Sequence, residues 1–227
     1  SYIPFGDFKS LKRINRKVAM VFLEPIMGEA GVIVPPPGYL RAVRERCDSV
    51  GALLAFDCIQ TGIGRTGQWF GYEDEGVTPD VITIAKGIGG GLPLGAMIAI
   101  GKSAELFTPG SHGSTFGGNP ISCAAANVVL EEIERSNLLR KNAEKGALLR
   151  KKLAIIPGVV EARGKGLLLG IEVEEHLAKT IARELQQAGY LVNGANEDVI
   201  RIAPSYLVTE AQLIKFVKAF ERICGKH

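Results

Sequence analysis

Lys86 closes the apolar run Asp80-Val-Ile-Thr-Ile-Ala-Lys86 and opens a glycine-rich turn, Gly87-Ile-Gly-Gly-Gly-Leu-Pro-Leu-Gly95. An amine among apolar groups loses its proton more readily and becomes a nucleophile, the state that attacks an aldehyde. A surface lysine at a strand end is the plainer account of that position taken alone. Asp57 ends a second apolar run, Ala52-Leu-Leu-Ala-Phe56. A carboxylate there is poorly solvated and calls for a cationic partner, although a helix cap or loop hydrogen bonder also fits. Ser114, Thr115 and the backbone NH groups of the nearby glycines precede a helix start at Asn119-Pro120 and are candidates for a phosphate. A flexible turn explains the same glycines. Arg201 lies inside Val199-Ile-Arg-Ile-Ala203, where it either reaches water or meets an anion such as a substrate carboxylate.

Together these residues match the needs of pyridoxal 5′-phosphate (PLP). That cofactor asks for a lysine to hold its aldehyde, an acid to keep its pyridine nitrogen protonated, and a phosphate site. Lys86, Asp57 and the Ser114–Thr115 loop are the respective candidates. A nucleotide-binding loop is the weaker reading, because Lys86 precedes the glycines and the order Gly-x-x-x-x-Gly-Lys-Ser/Thr is absent.

The elements that must position these groups follow from apolar patterning. Strands are expected at Val18–Leu23, Ala52–Phe56, Val81–Ala85 and Ala96–Ile100, with a helix over Gly38–Val50 facing inward through Leu40, Val43, Cys47 and Val50. Residues 1–17 read as irregular. Strands apolar on both faces that alternate with helices indicate a mainly parallel sheet covered on both sides, an α/β architecture. Ligands gather at the carboxyl ends of such strands, where Glu24, Asp57 and Lys86 all fall.

Beyond the loop at 108–118, Asn119 caps a helix with Pro120 in its first turn, and Ala124, Ala125, Val128, Val129 and Ile133 form its expected apolar face. A second helix covers about 137–154. Short strands are expected at Val159–Ala162, Leu167–Val173, Leu191–Asn193 and Val199–Ala203, with helices at about 176–188 and 209–224. The last carries a capping box, Thr209 with Gln212, and an apolar face of Leu213, Phe216, Val217, Phe220 and Cys224. The expected organisation is a large domain over 1–134 and a smaller α+β domain over 135–227.

Composition narrows the function classes. The chain has 227 residues, 46% hydrophobic and 22% charged, with a net charge of +3 and basic residues scattered along it. Neither nucleic acid nor a membrane is an expected partner. No apolar run nears a membrane span, and the N-terminus lacks the pattern of a signal peptide. Cys47, Cys58, Cys123 and Cys224 form no CxxC pair and read as reduced thiols of a cytoplasmic protein. With three histidines, one of them terminal, no metal site is expected.

Four segments in order carry a resemblance to a known family: Glu24-Pro-Ile-Met-Gly-Glu29-Ala-Gly-Val, Phe56-Asp-Cys-Ile-Gln60-Thr-Gly-Ile-Gly-Arg-Thr-Gly67, the Lys86 segment and Gly113-Ser-Thr-Phe-Gly-Gly-Asn-Pro120. From about residue 18 onward the chain resembles the class III (ω-amino acid) aminotransferases of PLP fold type I. The match is to their C-terminal portion: a mainly parallel sheet of the large domain plus the small domain. Gly164-Lys-Gly-Leu-Leu-Leu-Gly170, Gly189-Tyr-Leu-Val-Asn193 and Ile200-Arg-Ile-Ala-Pro204 narrow the resemblance to the branch acting on acylated ornithine.

The resemblance implies residue roles. Lys86 holds the cofactor and moves the proton, Asp57 pairs with the pyridinium, Gln60 lies near the ring hydroxyl and Ile59 packs on one ring face. Thr115 reaches the phosphate of a neighbouring subunit, which makes the site a homodimer feature. Arg201 binds the α-carboxylate of glutamate or 2-oxoglutarate, and Glu29 is the acid that neutralises Arg201 when an ω-amine enters. The implied reaction moves an amino group from N-acetylornithine or a related ω-amino acid to 2-oxoglutarate, in arginine biosynthesis. Cys58 stands where the family usually has glutamate, and Met27 where glutamine is frequent. The alternative expectation is a non-catalytic fragment that only associates with a partner chain.

Overall fold

A computed structural model describes residues 1–227, which divide into two compact units. The first comprises 1–25, 35–63 and 69–136. The second comprises 26–34, 64–68 and 137–227. The later unit thus takes in two short earlier segments that a boundary near residue 135 assigns to the first.

The first unit is built on a four-stranded sheet of β1 (Met20–Leu23), β2 (Leu53–Asp57), β3 (Val81–Ile84) and β4 (Ala96–Ala99), in that spatial order. β1, β2 and β3 run parallel, and β4 is antiparallel to β3. Helix α1 (Tyr39–Val50) joins β1 to β2 and buries Tyr39, Leu40, Val43 and Cys47. Gly51 follows it in a left-handed conformation, the usual means of ending a helix before a strand. Asp80 fixes the start of β3: its carboxylate accepts from Leu54 N and Arg44 Nη1, both at 2.7 Å.

Three expectations are corrected here. Residues 8–13 form a 3-10 helix instead of an irregular segment. Asp7 caps it by accepting from Lys9 N, and Phe5 and Phe8 meet the Tyr39 ring edge-on. The sheet is not covered on both sides throughout, because Met20, Phe22, Met97 and Ile98 on its two outer strands are exposed. Helix α2 (Pro120–Arg135) is capped by Asn119 with Pro120 in its first turn, as expected, but it buries Ser122, Ala126 and Ile133. Ala124 and Val128 face outward.

The second unit holds an antiparallel sheet flanked by helices. Helix α3 (Leu138–Leu153) leads into β5 (Val159–Lys165) and β6 (Leu168–Val173). Helix α4 (Ala178–Gln187), β7 (Asn193–Gly194), β8 (Val199–Ile202) and α5 (Glu210–Cys224) complete it, with strand order β5-β6-β8-β7. The strand expected at Leu191–Asn193 is displaced to Asn193–Gly194, and Leu191 is exposed. The core packs Leu149, Leu153, Ile171, Ile181, Leu185, Ile200 and Phe220 together. The Thr209–Gln212 capping box is present at the start of α5. No helix is long and apolar enough to cross a membrane.

Candidate active site

Parallel pairing of β1, β2 and β3 brings Glu24, Asp57 and Lys86 to the same edge of the first sheet, since each follows or ends its strand. Asp57 stands opposite Thr83 in the register. Its Oδ1 accepts from Ile59 N at 2.9 Å and from Thr83 Oγ1 at 3.4 Å. Both bonds fall on one oxygen, so Oδ2 remains an open acceptor on a half-buried carboxylate. The chain beyond Asp57 stays tied to the sheet, because Cys58 N donates to Thr83 O at 2.9 Å.

Lys86 is exposed in this chain, not buried as the apolar run before it suggests. The run itself alternates, with Ile82 and Ile84 inside and Thr83 half-buried, and it stops before the lysine. Lys86 instead carries backbone strain. Its φ is +49°, a left-handed conformation that costs a non-glycine residue about 1–3 kcal/mol. It starts a short 3-10 turn, Lys86–Gly89, which ends at the left-handed Gly90. A Cβ at Gly90 would come within 2.9 Å of Val129 Cγ2, so the turn lies close against α2.

Ile59 and Gln60 follow Asp57 and are half-buried. Cys58, between Asp57 and Ile59, is fully enclosed. Burial pushes its thiol up to about 12, against smaller opposing hydrogen bonds from Thr61 and the Gly71 backbone. Cys58 therefore adds no charge beside Asp57. Ser114 and Thr115 lie in an exposed loop just before the capped start of α2, and Ser114 Oγ accepts from Gly117 N at 3.0 Å. A cleft of about 400 Å³ beside β1, lined by Tyr2, Phe5, Arg13 and Phe22 among others, includes none of these residues.

The second unit brings together the other two expected site residues. Arg201 in β8 pairs with Glu29 at 2.7 Å, the arginine side chain 14% and the glutamate side chain 71% exposed. Glu29 rides on a tight turn closed by a Met27–Ile33 bridge, with reciprocal backbone bonds of 3.0 Å. Val32 in that turn is completely buried with φ +55°, an outlier for a β-branched residue. Packing with Ile26 and Leu168 holds it there.

Comparison with known proteins decides what this arrangement belongs to. The profile of the family Aminotransferase class-III matches residues 5–224. The chain belongs to the class III aminotransferases. It is 49% identical over 229 residues to the acetylornithine aminotransferase of Mycobacterium bovis, covering all of this chain and 57% of that protein. Among solved structures it resembles the N-acetylornithine aminotransferase of Stenotrophomonas maltophilia, with a TM-score of 0.90 and 36% identity over 100% of this chain and 62% of that one. It also resembles the ornithine aminotransferase of Toxoplasma gondii, with a TM-score of 0.93 and 32% identity over 100% of this chain and 55% of that one. That structure is described as having partial occupancy of PLP at its active site. The chain thus spans somewhat more than half the length of these relatives.

Class III aminotransferases are PLP enzymes, and the residues present fit that cofactor. Asp57 offers an open acceptor for a pyridinium N–H. Lys86 follows the end of β3 two residues beyond Ile84, at the edge of the sheet where Asp57 ends β2. Thr83 and Arg163, the latter beside the Glu29 turn, were not among the sequence-derived site residues. Thr83 had a signal, as the one polar residue within Val81–Ile84. Arg163 had none, since an arginine flanked by Ala162 and Gly164 in a strand reads as solvent-facing.

Proposed function

We propose that this chain is the cofactor- and carboxylate-binding portion of an aminotransferase that moves the ω-amino group of N-acetylornithine, or of a related ω-amino acid, to 2-oxoglutarate. The place of that reaction is arginine biosynthesis, in a cytoplasmic homodimer whose subunits share the site through Thr115.

The observation that carries the reading is the 2.7 Å Glu29–Arg201 pair. An aminotransferase of this kind must accept two unlike substrates in one place. Glutamate presents its α-carboxylate where the ω-amino donor presents no anion. A half-buried guanidinium left unpaired is costly, so something must neutralise it while the ω-amino donor is bound. Glu29 does so. Because Glu29 is mostly exposed, its pair with Arg201 is weak, of order 0–1 kcal/mol. A glutamate or 2-oxoglutarate carboxylate making a two-pronged contact with the guanidinium can displace it.

PLP, when bound, supplies an electron sink for the carbanion formed at the substrate carbon. The chain supplies the rest. The Asp57 carboxylate, aimed by Ile59 N and Thr83 Oγ1, would keep the proton on the pyridine nitrogen. Lys86 Nζ would hold the aldehyde and, once the substrate amine has displaced it as a free amine, would take the proton from the amine-bearing carbon of the substrate. Ile59 would exclude water from one ring face, Gln60 would approach the ring hydroxyl, and Ser114 and Thr115 would offer hydroxyl donors for the phosphate.

The test is a donor panel assayed with 2-oxoglutarate, together with the visible absorbance of the protein after PLP addition. Borohydride should fix the cofactor to Lys86, and Lys86→Ala should abolish both the fixation and transamination. A band of unchanged wavelength and intensity in Lys86→Ala overturns the assignment.

The exposed apolar side chains Met20, Phe22, Met97, Phe116 and Ile121 favour a second reading, in which the 227-residue chain acts only when joined to a partner chain. Turnover by this chain alone, at the rate of full-length relatives, rejects that reading.

A further inference from the structure

Arg163 in β5, Gly170 in β6 and Arg201 in β8 are successive partners across the second sheet. Directly opposed residues of antiparallel strands project to the same face. Two arginines therefore rise from one face, their Cα atoms about 10 Å apart, with a glycine between them. The Glu29 turn lies in that gap. A Cβ on Gly170 would come within 2.8 Å of Gly31 O and 3.0 Å of Val32 Cβ, so the absent side chain is what lets the turn settle on the sheet.

The two arginines grip the turn differently. Arg201 takes the Glu29 carboxylate. Arg163 takes the backbone: its Nε and Nη2 both donate to Gly31 O, at 3.2 and 3.0 Å. Arg163 is also committed elsewhere, through Nη1, to Glu172 at 2.5 Å and Glu161 at 2.7 Å. Its charge is thus neutralised by two carboxylates while its remaining N–H groups clamp a carbonyl. Arg201, paired with an exposed glutamate, is the one of the two placed to exchange partners.

We propose that Arg163 is a positioning residue that fixes the backbone of the 28–32 turn over Gly170, so that Glu29 leaves Arg201 for a substrate carboxylate by side-chain rotation alone. The role rests on the reading of Arg201 as the carboxylate site. It divides the turn into a fixed part and a moving part. Gly31 and Val32 are held by Arg163, by the close approach to Gly170 and by burial of the strained Val32. The Glu29 side chain, mostly exposed and paired with Arg201, is the part that swings. A turn free to lift as a whole would carry Glu29 away from Arg201 and leave the guanidinium without its counter-charge while the ω-amino donor binds.

The experiment compares Arg163→Gln, Arg163→Lys and Gly170→Ala in the full-length holoenzyme. One arm follows amide hydrogen exchange at Gly31 and Val32 without substrate. The other measures kcat/KM for the ω-amino donor and for glutamate in separate half-reactions. Losing a charge-assisted pair of hydrogen bonds should speed exchange at these amides about tenfold in Arg163→Gln. The ratio of ω-donor to glutamate kcat/KM should fall by about the same factor, through KM of the donor. Gly170→Ala should act in the same direction by lifting the turn sterically, and Arg163→Lys should recover part of the ratio. Unchanged exchange in Arg163→Gln, or an equal fall in both half-reactions, overturns the proposal. A holoenzyme that turns over no amino donor overturns the functional reading and the gating role with it, whereas normal turnover with an unchanged ratio removes the gating role alone.

Discussion

Asp57 and Thr83 face each other across β2 and β3, and the Thr83 hydroxyl donates to the same carboxylate oxygen that Ile59 N already holds. The Thr83 bond is long at 3.4 Å, so the backbone bond of 2.9 Å does most of the aiming. The consequence is an asymmetric carboxylate, with one oxygen spent on orientation and the other open.

That asymmetry makes Asp57→Asn informative. The asparagine oxygen can still accept from Ile59 N and Thr83, so the loop geometry survives. The amide NH2 then takes the place of Oδ2 and presents donors where a pyridinium also donates. Loss of a desolvated charge pair of this kind costs about 3–5 kcal/mol, which corresponds to at least a hundredfold weaker PLP binding. Titration of the protein with PLP, followed by absorbance, checks this. Equal affinity in Asp57→Asn would remove Asp57 from the cofactor site.

A second prediction concerns acid stability. Glu184 on α4 meets His227 Nε2 at 2.9 Å and Lys226 Nζ at 3.2 Å. The His227 contact first, and then that of Lys226, lower its carboxyl below the ordinary 4.5. A depressed carboxylate stabilises the fold above its unfolded value and loses that contribution as pH falls through the folded value. The unmodified protein should therefore exceed Glu184→Gln in urea midpoint above pH 4.5, and the gap should close in more acid solution. A gap that widens on acidification contradicts the pairing.

Some of this architecture could be read from residue types because the signals were local. Asn119-Pro120 and Thr209 with Gln212 satisfy helix N-termini by their own chemistry, and the structure places caps at both. The apolar run Leu53–Phe56 likewise has few ways to be satisfied other than as a central strand. Exposure was harder to read. Met20, Phe22 and Met97 have the same apolar character as Leu54 and Phe56, yet they lie on the outer strands of the sheet. In α2 the run Cys-Ala-Ala-Ala permits more than one inward face, which is why Ala126, not Ala124 or Val128, is buried. The 3-10 helix at 8–13 depends on Tyr39, thirty-odd residues away, for its ring contacts.

At the candidate site, residue type pointed to the groups and the fold supplied their partners. Glu29 and Arg201 are far apart in sequence, and only the second sheet and the turn on it bring them to 2.7 Å. The clamp by Arg163 was hidden for a further reason. Its target is a backbone carbonyl in a turn that bends through a left-handed valine, a conformation that sequence preferences argue against.

The third prediction tests the support under that clamp. Gly146 sits in the middle of α3, where alanine is intrinsically better than glycine by about 1 kcal/mol. Taken as an isolated helix, Gly146→Ala should stabilise. In the structure the new Cβ would fall 1.9 Å from Gly166 O and 2.4 Å from Gly166 C, atoms of the β5–β6 turn. That turn has no room to retreat, since a Cβ on Gly166 would itself meet Thr66 C at 2.3 Å. Backbone presses on backbone from two sides, and no side-chain end can swing away. With backbone atoms this close, overpacking falls at the upper end of about 1–3 kcal/mol, which exceeds the gain in propensity. Thermal unfolding of Gly146→Ala should show Tm lower by about 4 °C, the shift expected for a net loss of 1–2 kcal/mol in a chain of this size. Because the β5–β6 hairpin also carries Arg163 and Gly170, the variant should speed amide exchange at Gly31 as well. A rise in Tm would mean that the hairpin yields, and that the platform under the Glu29 turn is softer than its packing indicates.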